Sequence, residues 1–158
     1  MAQPKGIKTQ KTGLYFVLAD AVKKAGGIIN FNGLGGQKGE IDATNMDSDA
    51  KEFFTGLEDS GTFTVGVNLD PKDDSQQAIF DLKDSGETVR WALGLSDGTA
   101  APTIANDVLT LPTTRTYFAF DASVQQFTLS GDSDNIVKGQ LTLRITGAIQ
   151  RSWKAIAP

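Results

Sequence analysis

Residues 62–69, Thr62-Phe63-Thr64-Val65-Gly66-Val67-Asn68-Leu69, alternate without a break, apolar at the odd positions and polar or small at the even ones. A period of two marks a strand with one buried and one open face. Upstream, Ile41 to Thr44 has the look of a short strand, and residues 44–60 between the two are acidic and punctuated by Gly and Ser. Most hairpin loops in compact domains run about two to five residues. A loop spanning 44–60 is therefore expected to bind something or to move.

Working outward, the same alternation recurs. Val89, Trp91 and Leu93 alternate with Thr88, Arg90 and Ala92, and Leu141, Leu143 and Ile145 alternate with Thr142, Arg144 and Thr146 in the longest such run. Leu14 to Leu18 and Ile28 to Phe31 are short apolar runs suited to buried strands, and Asp20 to Gly27 between them is expected to be a loop. Tyr117 to Phe120 is expected to pair with Phe127 to Leu129, and residues 99–113, with two prolines, to form a loop holding at most one short edge strand. One helix is predicted over 73–85. Asp74 would cap it with Gln77 three residues on, Ile79 and Leu82 share a face, and Gly86 offers a left-handed stop. The sum is a mainly β, antiparallel fold of about seven to nine strands, a sandwich or partly closed barrel, with one flanking helix and a long loop at about 44–60. At 158 residues one domain is expected, with 1–12 as an N-terminal arm and 151–158 as a C-terminal tail.

The composition narrows the chemistry. There is no Cys, hence no disulfide and no thiolate metal site, and no His, which removes the usual general base and zinc ligand. No nucleophile has a recognisable setting, so a non-enzymatic role without cofactor or metal is expected. Gly33-Leu34-Gly35-Gly36-Gln37-Lys38-Gly39 touches two phosphate-binding patterns and completes neither, since no apolar helix follows; a flexible turn is expected. Asp47-Ser48-Asp49 and Asp132-Ser133-Asp134-Asn135 could hold calcium, but turn-forming side chains account for both. Trp91 and Tyr117 fall in phase with core positions, whereas Trp153 lies in the tail and could dock on a neighbouring copy. No apolar window is long enough for a membrane span and no secretory signal is visible, so no membrane association is expected.

Charge is unevenly distributed. Residues 1–39 carry Lys5, Lys8, Lys11, Lys23, Lys24 and Lys38 against Asp20 alone. Residues 40–60 carry Glu40, Asp42, Asp47, Asp49, Glu52, Glu58 and Asp59 against Lys51. Two complementary blocks can meet within one molecule or, head to tail, between copies. The net charge of −4 gives no general affinity for nucleic acid.

Over residues 7–150 the sequence resembles the major tail tube proteins of long-tailed, non-contractile bacteriophages. The matching pieces are Glu40-Ile41-Asp42-Ala43-Thr44, Lys51-Glu52-Phe53, Gly56-Leu57-x-Asp59-x-Gly61, Asn68-Leu69-Asp70 and Ser75-Gln76-Gln77, followed by Glu87 to Leu93, Phe118-x-Phe120-Asp121-Ala122 and Gly139 to Gly147. The resemblance implies a structural virion protein, related in fold to type VI secretion tube proteins, that self-assembles into stacked hexameric rings. The implied partners are a tape-measure protein, a tail terminator and distal tail proteins. DNA would pass through the lumen without specific binding, and assembly would take place in the host cytoplasm. The loop at 44–60 would reach the adjacent ring through Asp47, Asp49, Lys51, Glu52, Phe53, Phe54, Glu58 and Asp59. Combined with the charge pattern, this makes the Lys-rich segment of another copy the expected counterpart, with the loop poorly ordered in an isolated subunit and ordered in the assembly. Arg144 either faces the lumen or pairs with an acid of the next subunit. The alternative is a carbohydrate-binding or adhesin-type β-sandwich, which would need exposed aromatic residues and often calcium.

Overall fold

The computed structural model describes residues 6–155. Its elements in order are β1 (Gly13–Leu18), β2 (Ala21–Ala25), β3 (Ile28–Asn32), β4 (Gln37–Asp42), β5 (Phe53–Asp59), β6 (Thr62–Asn68), α1 (Asp74–Ser85), β7 (Thr88–Gly94), β8 (Thr103–Ala105), β9 (Val108–Thr110), β10 (Tyr117–Ser130) and β11 (Lys138–Ser152). Seven strands form one antiparallel sheet in the order β2-β1-β7-β10-β11-β6-β3, and β4–β5 and β8–β9 form two separate ribbons. The fold is mainly β with one helix, as the alternation implied; the sheet stays open, with β2 and β3 as its edges.

Cross-strand partners share a face, so the register sorts every side chain. One face carries Phe16, Trp91, Phe120, Phe63, Leu141, Leu143, Val65 and Val67, all essentially buried. Burying each such side chain is worth about 1.5–3 kcal/mol. The helix covers one end of this face through Ala78, Ile79 and Leu82, with the Phe80 and Phe127 rings 4.2 Å apart. Its N-cap is Asp73, not Asp74: the Asp73 carboxylate accepts from the Ser75 N–H at 2.9 Å. Gln77 donates to the Pro71 carbonyl at 2.7 Å instead of closing a capping box. The Gln76 amide, 2 % exposed, donates to the carbonyls of Gly26 and Asn68, pinning the helix start to the turn before β3 and the end of β6. Gly86 ends the helix at φ +70°, as its position suggested.

Four further expectations about the strands and turns need correction. Ala21–Ala25 is an edge strand and not a loop, turned back on β1 by Ala19 and Asp20 at positive φ. Its two lysines are residues that guard an edge against stray pairing, which is why the segment does not look like a strand. Phe127–Leu129 does not fold back on Tyr117–Phe120; both belong to the 14-residue β10, whose partner is β11. Register shifts at 119/121 and 124/126 break the alternation there. Residues 99–113 hold a two-stranded ribbon turned at Asn106 and Asp107, both at positive φ. Finally, Gln37–Asp42 is a strand, so the glycine-rich turn ends at Gly36.

The second face of the sheet is covered at one end, where Tyr15, Ala92, Tyr117 and Ala119 are buried with Leu109 and Leu111 packed against them, and is open and polar over β6, the first half of β11 and the parts of β7 and β10 beside it. Thr62 lies opposite Arg144, Arg144 opposite Ser123, and Ser123 opposite Thr88; Thr64 lies opposite Thr142. Both arginines of these rows are paired. Arg90 lies 3.4 Å from the Asp121 carboxylate and donates to Gln150; Arg144 lies 3.2 Å from Asp59. The Arg144 partner is thus in its own chain.

Candidate assembly surface

Residues 44–60 are not a long loop. Phe53–Asp59 is strand β5, paired with β4 so that Ile41 faces Phe54, Asp42 faces Phe53 and Lys38 faces Glu58. The loop proper is 43–52. It is closed by the Ala43 N–H donating to the Glu52 carbonyl at 2.9 Å, and by Thr44 Oγ1 accepting from the Glu52 N–H at 2.9 Å. Asn45 Oδ1 accepts from Asp47 N–H, Ser48 Oγ accepts from Asn45 N–H, and Asp42 accepts from Thr44 N–H. Hydrogen bonds from the Thr44 side chain and backbone hold the Asp42 carboxyl below the usual carboxylate range. The acidic cluster is therefore a folded tip of side-chain turns.

Beyond its root, where Asp59 meets Arg144, this ribbon stands clear of the other described residues. Every residue of β4 and β5 is exposed except the half-buried Gly56. Phe54 is 68 % exposed and Leu57 92 %, with Ile41, Phe53 and, at the tip, Met46 also open. A lone two-stranded ribbon is marginal in water. With no side buried there is also no period of two to read, which is why Phe53-Phe54-Thr55-Gly56-Leu57 passes for a loop in sequence.

The structure divides the expected site residues. Asp47, Asp49, Lys51 and Glu52 sit together at the tip, Phe53 and Phe54 on β5, and Glu58 and Asp59 at the base. Asp59 is already engaged: the Gly61 N–H, first, and the Arg144 charge hold its carboxyl below the usual range. The basic residues do not form one patch. Lys23 and Lys24 lie on β2, at the sheet edge opposite β3, whereas Lys38 is on the acidic ribbon itself. Lys8 and Lys11 offer their backbone carbonyls to Ser96 Oγ and Arg115. Lys5 lies outside the described residues.

A groove of about 540 Å³ opens where the ribbon leaves the sheet. Phe31, Leu34, Leu93, Leu95, Phe118 and Ile149 floor it, and Lys38, Glu58 and Arg151 stand at its rim. It occupies the end of the core face away from the helix, since Phe118 and Phe127 lie nine positions apart on β10. Trp153, 66 % exposed, stacks edge-on against Phe118 with centroids 5.9 Å apart. Trp91, Tyr117 and Tyr15 are buried, so they form no platform for a sugar. Among the described residues no three carboxylates converge as a metal site.

The family model described as phage tail tube, TTP, lambda-like, matches residues 5–155. The chain belongs to that family. A relative, structural protein 3 of Pseudomonas phage PAJU2, is 29% identical, the match covering 93% of this chain and 94% of that one. Among solved structures, the SPP1 tail tube superposes with a TM-score of 0.68 at 13% identity, covering 94% of this chain and 80% of that chain. The tail of an empty gene transfer agent particle, refined with C6 symmetry, gives 0.66 at 11%, covering 92% and 98%. A sheath/tube terminator of an extracellular contractile injection system gives 0.69 at 15%, covering 95% and 99%. The protein is a structural subunit of a phage tail tube, part of the virion. No helix among its described residues is long and apolar enough to cross a membrane.

One residue that organises this tail tube subunit escaped the sequence. Arg115 is 2 % exposed and is in no ion pair among the described residues. Its guanidinium donates to the carbonyls of Leu95, Ala100, Lys11 and Gly94 and to the Tyr15 hydroxyl, at 2.5–3.1 Å. It also lies 5.7 and 5.5 Å from the Tyr15 and Tyr117 ring centroids. Five donors in a fixed fork, spread over carbonyls, let a buried cation tie the arm, the end of β7 and the 95–100 loop to one point. Beside it, Asp97 accepts from both the N–H and the hydroxyl of Thr116. Burial pushes the Asp97 carboxyl up, but the Thr116 hydrogen bonds and the nearby Lys154 outweigh it and leave it below the usual value.

Proposed function

We propose that this subunit joins copies of itself into hexameric rings that stack into the tail tube, with the β4–β5 ribbon reaching from one ring to the next. The observation that carries this reading is the ribbon itself, a folded, acidic element tied to the sheet at its root by Asp59 and Arg144, whose exposed Ile41, Phe53, Phe54 and Leu57 stand clear of the core. Lys23 and Lys24 lie on the far edge strand, so the two charge blocks are better placed to meet between copies than within one. A donor patch and an acceptor patch at different places make a heterologous contact, which propagates into rings or filaments. The sixfold symmetry of the similar gene transfer agent tail favours rings of six.

The open polar face is the proposed wall of the lumen. Its threonines are neutral, and Arg90 and Arg144 are each matched by a carboxylate. Lys138, opposite Asn68 and Ser130 on the same face, is in no ion pair among the described residues, but a wall so sparsely cationic would hold passing phosphates only weakly, so DNA crosses it without specific binding. The role is structural and not catalytic. Tape-measure, terminator and distal tail proteins are the proposed partners at the lumen and the tube ends, and assembly takes place in the host cytoplasm. Residues 1–158 act as one tail-tube domain with an N-terminal arm at 1–12; of the expected C-terminal tail at 151–158, Arg151 and Ser152 belong to β11. Negative-stain electron microscopy of the purified protein over rising concentration tests this: rings and tubes are expected, whereas a strict monomer that also stays monomeric with the other tail proteins would overturn it.

A further inference from the structure

We infer that the groove between the sheet and the base of the ribbon is the receptor for the outer end of the ribbon of a second copy of this chain, with Phe54 and Ile41, which share one face of the ribbon, seated on its apolar floor. The inference rests on the reading of the ribbon as an inter-ring element and gives that element a specific seat.

Three observations converge. The floor is apolar and open, and its volume of about 540 Å³ is room for more than one side chain, within the span of about 300–1,000 Å³ that takes whole ligands. The ribbon carries the matching cargo, since Ile41 and Phe54 lie opposite each other and are exposed on one face, while Phe53 is exposed on the other. Buried aromatic anchors of this kind dominate the energetics of interfaces. The charges also agree: the tip bears Asp47, Asp49 and Glu52 against Lys51, whereas Arg151 at the rim is in no ion pair among the described residues.

A tip cannot fill its own groove. Gln37, Lys38 and Glu58 at the base of the ribbon line the groove, while Ile41, Phe53 and Phe54, further out, do not. The seat must be taken by the tip of another copy, and that copy offers its own groove in turn. Donor and acceptor are different surfaces of one chain, so each joint leaves one free tip and one free groove, and stacking continues. Trp153 beside Phe118 is positioned to close over the inserted rings.

Two kinds of variant separate the surfaces. Ile41→Ala/Phe54→Ala removes the cargo and spares the groove; Arg151→Glu and, independently, Leu34→Glu spoil the groove and spare the tip. Each is expected to stay folded by circular dichroism and to lower tube yield at least tenfold at a concentration where wild type polymerises. Mixing tip and groove variants is expected to give paired assemblies and no tubes, because each pair can make only one joint. The chain has no cysteine, so a direct readout is clean. In Phe54→Cys/Arg151→Cys, oxidation of tubes should give a ladder of covalent multimers on a non-reducing gel, abolished by dithiothreitol, while either single variant stops at dimers or below. Normal tubes from both groove variants, with no ladder from the double cysteine variant, would overturn the seat while leaving the ribbon as an assembly element if the tip variant fails to polymerise. Groove variants that lose only the binding of another tail protein would also overturn it. Normal tubes from the tip variant would remove the underlying reading as well. If a groove variant does not fold, the presence or absence of the ladder decides.

Discussion

β5 and β6 are successive strands of seven residues, separated only by Ser60 and Gly61, and they have opposite surroundings. In β6, Phe63, Val65 and Val67 are each no more than 1 % exposed, and the polar residues between them face outward. In β5, Phe53, Phe54 and Leu57 are all at least half exposed. The same apolar chemistry thus contributes to folding in one strand and is held in reserve in the next. The turn between them is firmly fixed: Ser60 is buried, its hydroxyl donating to the Gly147 carbonyl at 2.5 Å. The exposed strand is therefore held rigidly at its root and presented to the outside.

The sharpest way to break that comparison is a matched pair of truncations. Phe63→Ala should cost about 3–5 kcal/mol and lower Tm steeply, because it opens a cavity in the core. Phe54→Ala should leave stability within about 0.5 kcal/mol, as exposed sites do, and yet impair polymerisation. Calorimetry and electron microscopy on the two variants read both halves of the contrast. Next in size, Arg115→Leu should cost about 3 kcal/mol, since it leaves several buried carbonyls without donors. Arg115→Lys should recover only part of that loss in a urea titration, because an ammonium cannot reach the same fork of acceptors.

Reversing the tip charges, Asp47→Lys/Asp49→Lys/Glu52→Lys, should change the melting temperature little and block tube growth, visible by light scattering; normal tubes would remove the tip charges from the account. The smallest effect concerns Asp97. Its folded carboxyl lies below the usual carboxylate range, so its contribution is present above that range and is lost as pH falls through the lower folded value. Wild type should therefore lose more Tm than Asp97→Asn between pH 5 and pH 3.

The sequence made the sheet legible wherever a strand has one wet and one dry face. Thr62–Asn68 and the first half of Lys138–Ser152 fit this description and alternate visibly; Thr88–Gly94 alternates in sequence because the small Ala92 stands at a position of the second face that is buried as well. Strands without that asymmetry were hidden: β2 because an edge carries lysines, β5 because neither face is covered, and the middle of β10 because bulges shift its phase. The acidic segment at the ribbon tip was visible from charge alone. The groove was not, because Phe31, Leu93, Phe118 and Ile149 come from four strands that only the fold brings together. Arg115 left no signal either, since a lone arginine beside a threonine in sequence gives no hint of burial.

The central claim is that the β4–β5 ribbon is open in the subunit and covered in the tube. Amide hydrogen exchange over residues 37–59, compared between dissociated protein and assembled tubes, tests it directly. The account predicts fast exchange in the subunit and protection rising at least tenfold on assembly, with β6 protected in both states. Equal exchange of the ribbon in both states, with tubes intact, would contradict it.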